Sequence, residues 1–96
     1  MNRREVLQAL TLAKPELARR YGVVRLALFG SVARDEAHPG SDVDVMVSFN
    51  GPATSKNYFG VQFFLEDTLG CPVDLVTEKA LRHELRPFIE QEAVNV

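Results

Sequence analysis

Ninety-six residues, 46% of them apolar and 25% charged, match an ordinary globular protein and not a disordered chain, and leave room for one core, so residues 1–96 are expected to form a single domain. No apolar run approaches the roughly 20 residues a membrane-crossing helix needs, so no membrane association is expected. The formal charge of −2 is uneven: residues 1–25 carry six Lys/Arg against two Asp/Glu, residues 26–74 two against seven, and residues 75–96 three against four. A nucleic-acid substrate calls for a basic stripe. An acidic middle suits a cation held by carboxylates instead, and the basic N-terminal part reads as a solvated helix face. The lone Cys71 cannot form an internal disulfide and fits a reducing cytoplasm.

Taken in chain order, residues 3–13 read as a helix with Val6, Leu7, Leu10 and Ala13 on one stripe. Pro15 interrupts it or restarts a second helix through Leu17, Ala18 and Tyr21, which Gly22 stops. Val23 to Phe29 is a short apolar strand ending at Gly30, and Ser31 can cap a helical turn over Val32 to Glu36. His38-Pro39-Gly40 is a loop. Asp42 to Phe49 alternates as a strand, with Val43, Val45, Val47 and Phe49 on one face and Asp42, Asp44, Met46 and Ser48 on the other. Asn50-Gly51-Pro52 breaks it. Residues 57–69 read as a helix, Pro72 to Val76 as a third strand, and 78–93 as a last helix that Pro87 kinks or divides. Phe29, Phe49, Phe59, Phe63, Phe64 and Phe88 are expected mostly in the core. The expected architecture is α/β (α+β): a small mixed sheet of about three strands with helices packed on one face.

Chemistry concentrates in "GSVARDEAHPGSDVDVMV". Asp42 and Asp44 leave the same face of a strand, about 7 Å apart along the backbone. Such carboxylates repel each other unless a positive charge lies between them, and Mg²⁺ commonly takes one or two carboxylates plus substrate phosphates. The other reading is the polar face of any half-buried strand. Gly30 permits close backbone approach to a ligand, and Ser31 opens a turn whose free amides and hydroxyl suit a phosphate. Asp74, inside the apolar run "PVDLV", is costly to bury unless it is paired or ligates a metal. Three carboxylates beside a phosphate turn suit two-metal phosphoryl transfer.

Gly30-Ser31, ten intervening residues and Asp42-x-Asp44 resemble the signature of the DNA polymerase β-like nucleotidyltransferases. With "PVDLV" and the closing "LRPFIEQEAV", the chain from about Tyr21 onward resembles their smallest branch, the minimal nucleotidyltransferases (MNT). That resemblance implies a nucleotidyltransferase fold, Mg²⁺ (two ions) and ATP, and transfer of AMP to a tyrosine hydroxyl of a HEPN-domain toxin. The chain would then act as the antitoxin, in a hetero-oligomer with the toxin. It implies Gly30 and Ser31 on the triphosphate and Asp42, Asp44 and Asp74 on the metals, with Asp74 also helping to activate the acceptor. Arg34, matching the family's GSxAR pattern, either pairs with a phosphate or clamps a nearby carboxylate. Ser41 is a further nucleotide-site candidate that otherwise orients the loop. Two other readings compete. One is nucleotidyl transfer to a small hydroxylated molecule, such as an aminoglycoside, by a homodimer; the other is an antitoxin that acts by binding alone.

Overall fold

The computed structural model describes residues 2–38 and 40–96; Pro39, within the expected loop, lies outside them. Helix α1 (Arg3–Tyr21) starts at a reciprocal cap, in which Glu5 N–H donates to Asn2 Oδ1 at 2.8 Å and Asn2 N–H donates to Glu5 Oε1 at 3.2 Å. Pro15 neither breaks nor restarts it. The proline sits on the exposed side, where one missing N–H costs little, while Val6, Leu10, Ala13 and Leu17 hold both halves against the core.

Strands β1 (Val23–Phe29) and β2 (Val43–Phe49) pair antiparallel, with the short helix α2 (Gly30–Ala33) following β1. Helix α3 (Ser55–Leu69) starts at Thr54, whose Oγ1 accepts from Asn57 N–H at 3.1 Å, and crosses to β3 (Val73–Thr77), parallel to β2. A 3₁₀ turn (Glu78–Ala80), helix α4 (Arg86–Glu92) and strand β4 (Val94–Asn95) complete the chain. β4 pairs antiparallel with β1, giving the sheet order β3-β2-β1-β4.

Leu26, Leu28, Val45, Val47 and Leu75 face α1 and α3 and form the main core with Leu10, Leu17, Val61 and Leu65. Gly60, in the middle of α3, admits the Tyr21 ring: a Cβ there would lie 2.7 Å from Tyr21 Cζ. None of the described helices is long and apolar enough to cross a membrane.

The expected mixed α/β architecture holds, with four differences. The sheet has four strands, because Val94-Asn95 adds an edge too short to show periodicity. The segment read as one helix over 78–93 is instead a turn, a seven-residue helix with Pro87 in its first turn, and that strand. Thr77 caps the turn by accepting from Ala80 N–H, and Leu81 leaves it extended. Helical packing is also not confined to one face. Ala27 and Met46 lie opposite the main core yet are fully buried, beneath the C-terminal segment that Arg25, Ser48 and Gly30 tether to that face. Finally, the phenylalanines are not a core set. Phe59, Phe63 and Phe88 are exposed and the other three only half-buried, Phe49 and Phe64 packing against the edge of the core, because valines and leucines fill the main face and Ala27 and Met46 the other.

Candidate active site

The site is built where three strand ends meet. β1 ends at Phe29, which pairs with Asp44 of β2, and Asp44 pairs with Asp74 of β3. This single rung sets the two aspartates side by side on neighbouring strands, facing away from the main core. Asp42 lies just before β2 and is exposed. Burial first, then the charge and hydrogen bond of Asp74 and the charge of Asp42, push the Asp44 carboxyl up to about 6; Arg34 pulls weakly the other way.

Gly30 closes over this rung. Its φ of +76° lies in the left-handed region, and a Cβ there would overlap Asp44 Oδ2 and lie 2.8 Å from Asp44 Cγ. Glycine is therefore required twice, by backbone conformation and by contact with the carboxylate. This explains the spacing noted in the sequence: the ten residues 32–41 are the return path that brings Asp44 under Gly30. Ser31 lies inside α2 and does not cap it; Phe29 stands at the cap position with no side-chain bond. Arg34 follows α2 and takes the carboxylate-clamping role, donating from Nε to Glu36 at 3.2 Å and from Nη1 to Glu92 Oε2 at 2.8 Å. Ser41 orders the loop: its Oγ accepts from His38 N–H at 2.9 Å, and its own N–H donates to the His38 carbonyl.

One contact of this candidate site has no signal in the sequence. Glu92, at the end of α4, accepts the Gly30 N–H on Oε1 at 3.0 Å while its other oxygen holds Arg34. Residues 62 positions apart share no periodicity that could have linked them. An open groove of about 360 Å³ runs along Asp74, lined by Phe29, Tyr58, Leu81, Leu85 and Ile89 among others, and Tyr58 is fixed by donating its hydroxyl to the Leu75 carbonyl. His38, His83 and Lys56 are exposed and stand apart from this contact set.

The donor set of the rung is oxygen-only and lacks a close basic partner, which fits a hard divalent cation. Among the described residues no three His, Cys, Asp or Glu side chains by themselves form a metal cage. The carboxylates thus fit a cation whose remaining ligands are phosphate oxygens and water, the habit of Mg²⁺.

A mixed sheet with a glycine turn seated on paired aspartates fits a phosphoryl-transfer class of protein. Residues 10–96 match the model of the nucleotidyltransferase domain, and the chain belongs to that family. It is 36% identical over 92 residues to the protein adenylyltransferase MntA of Thermococcus cleftensis, covering 96% of this chain and 93% of the relative. A solved structure provisionally assigned as a minimal nucleotidyltransferase superposes with a TM-score of 0.84 at 38% identity, covering 100% of this chain and 97% of that one. The same fold recurs, with a TM-score of 0.64 and 20% identity, in a complex of tri-AMPylated Shewanella oneidensis HEPN toxin with MNT antitoxin; there 93% of this chain matches 68% of the other. The expected resemblance to the minimal nucleotidyltransferases and the expected fold class are both borne out.

Proposed function

We propose that this nucleotidyltransferase is a cytoplasmic antitoxin, with residues 1–96 forming one domain, that transfers AMP from ATP to a tyrosine hydroxyl of a HEPN-domain toxin bound to it as a hetero-oligomer. The observation that carries the reading is the Asp44–Asp74 rung seated under Gly30. The relative named as a protein adenylyltransferase and the AMPylated toxin complex support AMP as the group and a HEPN protein as the acceptor.

In this reading Gly30, Ser31 and Arg34 hold the triphosphate, and Ser41 fixes the loop that brings Asp42 to it. Asp42, Asp44 and Asp74 would hold Mg²⁺, which would supply positive charge to the phosphates and the leaving pyrophosphate. Asp74, on the solvent side of the rung and bordering the groove, receives the proton of the acceptor hydroxyl. The acceptor oxygen forms its bond to the α-phosphorus as the bond to the bridging α–β oxygen breaks, and pyrophosphate leaves. Orientation of the triphosphate by fixed donors supplies much of the acceleration. The groove beside Asp74 is lined by aromatic and aliphatic side chains, which suits a tyrosine acceptor. Incubation with ATP, Mg²⁺ and a HEPN protein encoded beside it should raise that protein's intact mass by one or more AMP units. An unmodified partner, with ATP bound by this chain under the same conditions, would overturn the proposal.

A further inference from the structure

We infer that Glu92 is an internal competitor for the phosphate donors: its carboxylate occupies the Gly30 N–H and the Arg34 guanidinium, and nucleoside triphosphate binds only as Glu92 is displaced. The inference rests on the nucleotide reading of this site and adds its regulation.

Three observations carry it. The first is stoichiometric. Gly30 has one N–H, and it is directed to Glu92 Oε1 at 3.0 Å, so a phosphate oxygen and Glu92 cannot both accept it. The second is that both oxygens of one carboxylate span two donors from different segments, Gly30 and Arg34, as two oxygens of a phosphate would. The third is that Glu92 is held in place from both sides. Two residues before it, Glu90 accepts from Arg25 Nη1 and Nη2, both at 3.1 Å; two residues after it, Val94 is paired with Leu28 in the sheet. The backbone at Glu92 is therefore fixed, whereas its side chain remains partly exposed, so release needs only a rotamer change.

The location is otherwise unfavourable for an acid. Glu92 ends a helix, where a negative charge meets the negative end of the peptide dipoles, and it approaches the Gly30 that also touches Asp44. A carboxylate kept there despite both effects is held by its two donors. A triphosphate accompanied by Mg²⁺ offers more negative charge to Arg34 and brings a cation to Asp44, so it displaces Glu92 where a monoanion does not.

Isothermal titration of Mg²⁺-ATP into the full chain tests this with wild type, Glu92→Ala and Glu92→Gln. The Kd should fall about tenfold in Glu92→Ala and by a smaller factor in Glu92→Gln, whose amide still accepts but carries no charge. An unchanged or weaker affinity in both variants, with native melting behaviour, would overturn the inference and leave the nucleotide reading intact. Failure of ATP to bind any of the three proteins would sink the nucleotide reading instead. Inorganic tripolyphosphate, followed through the Gly30 amide NMR signal, then decides the competition by itself. A shift in Glu92→Ala at concentrations that leave wild type unmoved supports it, and equal responses contradict it.

Discussion

Two acidic clusters share the sheet face that α1 and α3 leave open, and they differ in what neutralises them. At one end Glu78 accepts from Ser48 Oγ at 2.6 Å and Arg25 Nη1 at 3.1 Å, with Arg86 3.6 Å away. The Ser48 hydrogen bond and then Arg25 hold its carboxyl below the usual range. Four rungs along, Asp44 faces Asp74 and is pushed up to about 6. The same residue chemistry on the same face thus serves two ends. The Glu78 cluster closes on itself and ties the C-terminal segment to the sheet, whereas the Asp44 cluster is left with a charge imbalance that a bound cation would relieve. A carboxylate kept against its own electrostatics is a feature that working sites share, in keeping with the proposed role of Asp44.

The contrast can be broken from either end. The largest effect is expected from Asp74→Asn, which removes the proton acceptor: AMP transfer should fall on the order of 10²-fold or more, while ATP affinity measured by calorimetry changes by a few-fold only. Equal losses in both would leave Asp74 with the metal-holding role alone and not that of proton acceptor. Gly30→Ala should come next. The left-handed backbone and the overlap with Asp44 together cost about 2 kcal/mol or more, a drop of roughly 8–16 °C in Tm, read by thermal melting.

At the other end of the face, Arg25→Ala strands Glu78 and Glu90 in partly exposed positions. Stability should fall by about 1–2 kcal/mol with Mg²⁺-ATP affinity within a few-fold of wild type. The smallest effect is the pH dependence. Folding raises the Asp44 carboxyl from 3.8 to about 6, so the folded state holds its proton more tightly than the unfolded chain. Its contribution is present in full below pH 3.8 and is lost as pH rises through about 6. Metal-free protein should therefore gain about 1 kcal/mol, after allowance for partial exposure, between pH 7 and pH 5, and Asp44→Asn should flatten that gain in melts across the range. Glu78 acts with the opposite sign, but its lowered carboxyl titrates below its ordinary 4.5 and leaves this window to Asp44.

Local chemistry made the upper half of this site legible in the sequence. Strand alternation around Asp44 and the glycine before Ser31 are short-range signals, and the interval between them is the length of chain needed to bring one onto the other. Val94-Asn95 and Glu92 were not legible. A two-residue strand has no period to detect, and the Glu92 contact depends on how Arg25 and β1 dock the chain's last turn. Pro15 misled for the converse reason, because a stripe of buried residues on both sides of it outweighs one absent hydrogen bond.

The measurement that tests the central claim most directly compares Asp44→Asn with wild type in two assays at pH 7, melting of the metal-free chain and AMP transfer to the proposed HEPN partner with Mg²⁺-ATP. Relief of the carboxylate repulsion should leave Tm equal or higher, while transfer falls on the order of 10²-fold or more. Transfer that survives the substitution would contradict the account, as would a lower Tm, since either would mean that Asp44 belongs to the framework of the fold and not to its chemistry.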